Sequence, residues 1–116
     1  PNFLDFHAEY NRVAAEGGVS FRNGKKPEAL LRQLIEMFTA PGELVLDYHL
    51  GSGTTAAVAL KLGRRFLGIE REDYARTVAL PRLEAVVSGE QSGISAEVGW
   101  SGGGSVHFRQ ALEDVR

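Results

Sequence analysis

The sequence predicts an α/β domain, a mostly parallel sheet flanked by helices, and three observations carry that expectation. Helix-like and strand-like segments alternate, with connections of only a few residues. The two strand-like runs, Leu44-Val45-Leu46 and Phe66-Leu67-Gly68-Ile69, are continuous apolar stretches of the kind produced by strands buried on both faces. Between them a Gly turn opens a helix, the crossover that a parallel pair requires. Two strands and a third short candidate make an incomplete sheet.

Each element follows from local chemistry. Residues 1–18 read as an N-terminal extension with a short helix around Glu9 to Ala15, closed by Gly17-Gly18; residues 19–116 read as the domain proper. Pro27 suits a first helical position, Leu30, Leu31, Leu34, Ile35 and Phe38 recur at helical spacing, and Pro41-Gly42 closes that amphipathic helix. The first strand, Leu44 to Leu46, ends in Asp47. Thr54 to Leu62 is Ala- and Leu-rich and meets Gly63, the residue a helix C-terminus favours. Phe66 to Glu70 forms the second strand. Glu72 to Val87 forms a third helix with Tyr74, Val78, Leu83, Val86 and Val87 on its apolar side; Pro81 should kink or split it, because it removes a backbone donor and crowds the preceding turn. Residues 88–105 form a Gly/Ser-rich loop anchored by Ile94, Val98 and Trp100. Val106-His107-Phe108 is the candidate terminal strand, and Gln110 to Val115 a last helical turn or two.

Composition limits the chemistry. The chain has 116 residues, 43% of them hydrophobic, and 13 Lys+Arg against 15 Asp+Glu give a formal charge of −2. One core of ordinary size is expected, and any nucleic-acid contact must be local or made by a partner. The absence of Cys excludes disulfides, Cys-ligated zinc and thiol catalysis. His7, His49 and His107 lack metal-ligand spacing, so no metal is expected. No run of roughly 18 apolar residues and no basic, apolar-centred start is present, so neither a membrane span nor a signal peptide is expected, and the location expected is cytoplasmic.

The informative segment is Glu43 to Ala56. A strand followed by Gly51-x-Gly53 at a helix start lets the backbone approach a ligand, and the free amides there suit an anionic group. Gly51-x-Gly53-x-x-Ala56 also fits a relaxed dinucleotide fingerprint, so a small dinucleotide-binding module remains an alternative; no Gly-Lys-Ser/Thr follows, which excludes a P-loop. Asp47, at the carboxyl end of the strand, would repel a pyrophosphate and attract a cation. S-adenosylmethionine carries an ammonium and a sulfonium and no phosphate. Glu70, at the end of the next strand, stands where an acid accepts from ribose hydroxyls. The plainer readings are a turn-making Asp47 and a solvated Glu70. Lys25, Lys26, Lys61, Arg64, Arg65 and Arg71 read as solvated charges before phosphate contacts, and Trp100 as a plug beneath its loop.

Four blocks in order, Phe21-Arg-Asn-Gly-Lys-Lys-Pro-Glu-Ala-Leu-Leu31, Pro41-Gly-Glu-Leu-Val-Leu-Asp-Tyr-His-Leu-Gly-Ser-Gly-Thr-Thr55, Gly68-Ile-Glu70, and Gly89-Glu-Gln-Ser-Gly-Ile-Ser95 with Gly102-Gly-Gly-Ser105, resemble the C-terminal part of site-specific adenine DNA methyltransferases. The resemblance is greatest to the modification subunits of type III restriction systems, a circularly permuted class, and covers about Val19 to Phe108. It implies a partial Rossmann-like fold that binds S-adenosylmethionine. By the same resemblance Lys26 and Pro27 cradle the methionine end, Asp47, Gly51, Ser52, Gly53 and Thr54 wrap it with Asp47 toward the ammonium, and Glu70 takes the ribose.

Two departures stand out. His49 replaces an aromatic that the family usually has two positions before the first Gly, and Leu50 replaces a small residue; His49 is kept as a cofactor contact, with Leu50 narrowing the pocket. The alternative is that Tyr48, His49 and Leu50 pack under the helix. The family's acceptor-base motif, Asp or Asn, two prolines and an aromatic, is missing, since no two of the four prolines are adjacent. The resemblance therefore implies a cofactor-binding portion without catalytic residues, inactive alone. DNA would be reached only through a missing catalytic and recognition half; a split-subunit partner or a second copy, and a restriction subunit, are the other partners expected. A non-catalytic interaction domain using the open sheet edge is the other alternative.

Overall fold

The structure is a computed structural model and describes residues 13–18 and 25–110. Strand β1 (Leu44–Asp47) pairs in parallel with β2 (Arg65–Gly68), in a register running from Leu44↔Arg65 to Asp47↔Gly68. Helix α1 (Glu28–Phe38) precedes β1, α2 (Thr54–Lys61) crosses from β1 to β2, and α3 (Leu80–Val87) and the single turn α4 (Ser95–Val98) follow. A 3-10 segment, Val13–Gly18, breaks its helical backbone at Glu16 and Gly17. The observed order is that of an α/β layer around a two-stranded parallel sheet, consistent with an incomplete Rossmann-like fold.

The core is built on α2. Ala56, Ala57, Val58 and Ala59 are almost completely buried because α2 packs on α1, α3 and both strands, and small side chains let all of them approach. On one side Leu50, Ala56, Ala57, Ala79, Leu83 and Val86 form a cluster supported by Trp100; on the other Ile35, Val58, Ala59 and Ile94 form a second. Phe66 packs against both, inward from β2.

Helix α1 starts immediately after Pro27, whose extended backbone forms the N-cap, and ends where the Thr39 amide and hydroxyl both donate to the Ile35 carbonyl at 2.9 and 2.6 Å. Its apolar face is narrower than the spacing predicts. Ile35 is buried, but Leu34 and Phe38 are 38% and 76% exposed, since the contact with α2 runs through Ile35 and Leu31 and no described residue covers the last turn. The split at Pro81 is present: a π-helical turn, Ala75–Ala79, runs into α3 with the proline in the first turn of that helix.

Three expectations are corrected. The strands are not buried on both faces. Val45 and Phe66 pack inward, whereas Leu44, Leu46, Leu67 and Ile69 are 51–56% exposed, because helices cover one face and no described element covers the other. Val106 to Phe108 joins no sheet; the Gly103 amide donates to the Val87 carbonyl at 2.9 Å and ties the glycine run to the end of α3 instead. The Gly/Ser-rich stretch carries α4 and is pinned through Trp100, whose indole donates to the Val86 carbonyl at 2.8 Å and whose side chain packs on the core as expected. The helix expected around Glu9 lies mostly outside the described residues, as does most of Gln110 to Val115.

Candidate functional site

The turn between β1 and α2 is held from both ends. Asp47 closes β1, and its Oδ1 accepts from the His49 amide at 3.0 Å, so the turn-making role is real and occupies one oxygen. The Leu50 amide donates to the Ile69 carbonyl at 3.1 Å, and the Gly53 amide to the Leu50 carbonyl at 3.0 Å. Gly51 and Gly53 both adopt left-handed backbone, φ 57° and 87°, where an L side chain is strained. At Gly53 a Cβ would also stand 3.2 Å from the Cβ of Ala79. The parallel register places Asp47 opposite Gly68, so Asp47 and Glu70 lie at the same carboxyl end of the sheet, where α/β folds bind ligands.

Two clefts open there. The first, about 390 Å³, brings together Lys26, Asp47, His49, Gly51, Ser52 and Thr54, with Leu30, Leu31 and Leu34 of α1 as an apolar wall. Pro27 is buried at the start of α1 and Gly53 at the start of α2, both just behind the lining. Glu70 lines a second cleft of about 970 Å³, with β2 on one side and Val106 to Gln110 on another. Leu50 lines both clefts and turns inward against Gly68, where a Cβ would meet its Cδ1 at 2.7 Å. Packing beneath the helix therefore describes Leu50 alone. Tyr48 and His49 are exposed, their rings in tilted contact at 4.8 Å. Glu70 accepts from the Gly51 amide and from the Glu72 amide, each at 2.9 Å, which joins the Gly turn to the end of β2.

Behind the turn lies a buried ionic chain. Arg82 is fully buried; its Nη1 donates to Thr54 Oγ1 at 2.8 Å and Ser52 Oγ at 3.4 Å, and its Nη2 to Glu28 Oε2 at 2.8 Å. Lys61 Nζ meets Glu28 Oε1 at 2.7 Å and Glu90 Oε1 at 2.6 Å. The Glu28 amide donates to Glu16 Oε1 at 2.8 Å, and Lys25 Nζ to the Glu16 carbonyl. Cations Lys25, Lys61 and Arg82 thus balance anions Glu16, Glu28 and Glu90, which makes the burial tolerable. Burial pushes the Glu16 carboxyl up, and burial together with Arg82 pushes the Lys25 amine down. Burial also acts upward on Glu90, but contacts from Lys61 and Ser92 outweigh it and hold that carboxyl below its ordinary value.

Lys25, Lys61 and Arg64 are therefore not the solvated charges their sequence positions suggest. Arg64 ties β2 to the end of α1, its Nη2 donating to the Thr39 carbonyl at 2.7 Å. Lys26, Arg65 and Arg71 are exposed as expected. Sequence reasoning missed Glu28 and Arg82 altogether. A signal existed, because Glu28 shares a helical face with Leu31 and Ile35, and Arg82 with Ala79 and Val86, so each places a charge on an apolar stripe. Ser52 and Thr54 turn their hydroxyls toward Arg82, leaving mainly their main chain to a ligand. Among the described residues no cluster of His, Asp and Glu could hold a metal ion, and no helix is long and apolar enough to cross a membrane.

Comparison with known proteins gives this arrangement relatives. The family model described as DNA methylase, N6_N4_Mtase, matches residues 6–80. Over 103 residues the chain is 60% identical to the Haemophilus influenzae protein named "Probable type III restriction-modification enzyme HindVI Mod subunit", an alignment covering 88% of this chain and 14% of that protein. Over 75 residues it is 43% identical to "Type II methyltransferase M.HinfI" of Haemophilus influenzae, covering 65% of this chain and 21% of the relative. The chain thus spans a small part of the length of both.

Proposed function

The chain belongs to the DNA methylase family, and from that premise we propose that it is the S-adenosylmethionine-binding portion of a site-specific DNA adenine methyltransferase of a type III restriction-modification system. The observation that carries the proposal is the convergence of Lys26, Asp47 and the Gly51–Thr54 turn on one cleft. The cleft fits a methionine moiety: the leucines of α1 suit the methylene chain, Asp47 suits the ammonium, and Lys26 with the first-turn amides of α2 suits the carboxylate. Glu70 uses one bond on each oxygen, and a carboxylate oxygen accepts more than one, so it retains capacity for ribose hydroxyls in the second cleft. His49 is the exposed side chain at the cleft mouth. When bound, S-adenosylmethionine supplies an electrophilic methyl group on a sulfonium.

In this reading the chain's own residues bind and orient. Asp47 fixes the amino-acid end, Glu70 the ribose, and the left-handed glycines keep the turn thin enough for close approach. Adenine capture and DNA reading belong to residues other than these 116, as the missing acceptor motif implies, and the chain alone does not methylate DNA. The absence of a basic residue in Gly51 to Ala56, with Asp47 in the same cleft, disfavours a dinucleotide. A second reading, an interaction domain, draws on the half-exposed sheet face; a clean monomer by light scattering counts against it.

Calorimetric titration with S-adenosylhomocysteine and with a nicotinamide dinucleotide tests the proposal. Saturable binding of the former alone is expected, and no binding at about millimolar ligand overturns it. Asn at position 47 keeps an acceptor for the His49 amide and removes only charge, so Asp47→Asn should weaken binding of S-adenosylmethionine by roughly tenfold or more without unfolding the chain.

A further inference from the structure

We propose that Arg82 is the positioning residue of the cleft, holding its two walls at a set separation through Glu28 on one side and the hydroxyls of Ser52 and Thr54 on the other. The idea that this cleft takes the cofactor rests on the reading above; the positioning itself rests on geometry alone. One planar guanidinium reaches Glu28 Oε2 at 2.8 Å and Thr54 Oγ1 at 2.8 Å. Glu28 begins α1, two residues after Lys26, so it belongs to the wall that carries Lys26 and the leucines. Ser52 and Thr54 belong to the glycine turn, the opposite wall.

Three further observations support a positioning role over a purely stabilising one. A buried ion pair is a poor stabiliser, and apolar residues of similar volume commonly replace one at no loss, so a fully buried Arg in this core calls for another reason. The hydroxyl of Thr54, the first residue of α2, accepts from Arg82 and so ties the start of that helix to α3. Arg82 also has little room to move, because a Cβ on Gly17 would come within 2.4 Å of its Nε. Glu70 fastens the turn at Gly51 from the β2 side, and Arg82 fastens it at Ser52 and Thr54 from the α3 side. A Lys at this position cannot make the fork.

The test compares Arg82→Lys, Thr54→Val and Arg64→Met in the full chain by two readouts. Amide resonances of Gly51, Ser52 and Gly53 in the ligand-free protein report the turn, and calorimetry with S-adenosylhomocysteine reports the cleft. Arg82→Lys and Thr54→Val should shift those resonances and weaken binding by about tenfold. Arg64→Met removes another largely buried cation, one whose bonds go to Thr39 and Leu62 and not to the turn, and should lower the unfolding temperature while leaving the resonances in place and the affinity within about twofold. Should Arg82→Lys fail to fold, Thr54→Val carries the test, since Val keeps the shape and removes the hydroxyl that meets Arg82 and Ser52. Unchanged turn resonances in folded Thr54→Val, or an equal loss of affinity in Arg64→Met, overturns the proposal. If the unsubstituted chain binds no S-adenosylhomocysteine, the cofactor reading fails, and the turn resonances alone decide the role of Arg82.

Discussion

Glu90 and Glu16 sit in one buried ionic chain yet respond to pH in opposite directions. The folded state holds the Glu90 carboxyl below its ordinary value of 4.5, because Lys61 and Ser92 outweigh burial. Glu90 therefore contributes stability that is present above about 4.5 and is lost as pH falls through its folded value. Burial raises the Glu16 carboxyl, so its contribution is present in acid and is lost as pH rises through its folded value. Glu90→Gln should lower stability at neutral pH and flatten the acid limb, whereas Glu16→Gln, which keeps an acceptor for the Glu28 amide, should steepen that limb; urea denaturation from pH 3 to 8 checks both. That Asp47 and the glycine turn line one cleft was legible at this scale, because they form a local pattern, whereas Lys26 was placed by the family resemblance. The ionic chain was not legible. A charge on an apolar stripe announces a partner, but Glu28 and Arg82 lie 54 positions apart, and only the fold brings them together.

The turn into α2 is the element on which both clefts depend. Gly53 combines a left-handed backbone with an approach to Ala79 of the π-helical turn, so two independent restrictions act at one position. Gly53→Ala should cost roughly 1–3 kcal/mol and weaken ligand binding together with stability, measured by thermal unfolding and calorimetry. Order and type of the central elements could be read from sequence: β1, α2 and β2 fall within a residue or two of their expected bounds, and Pro81 marks the break before α3. The number of layers over the sheet could not be read. A run such as Leu44-Val45-Leu46 fits a strand between two layers equally well as one with a bare face, because local sequence does not say what packs from afar. Val106 to Phe108 has strand-forming residues, but a hydrogen bond from Gly103 to the end of α3 fixes where the chain goes.

Among the described residues the helices cover one face of the sheet and leave the other open. Leu44, Leu46, Leu67 and Ile69 form an apolar surface opposite the helices, and no described residue shields it. Because these side chains are already half in water, Leu46→Ser and Leu67→Ser should change stability by only about 0.5 kcal/mol each, as measured by urea denaturation. Membership of the DNA methylase family was legible because four blocks occur in order. In the proposed function the cleft between α1 and the glycine turn takes the methionine end of S-adenosylmethionine. The most direct test of that placement is an amide-resonance titration of the chain with S-adenosylhomocysteine. Saturable shifts concentrated at Lys26, Asp47, Gly51 to Thr54 and Glu70 are expected; shifts confined to other surfaces, or none at saturating ligand, rule that binding mode out.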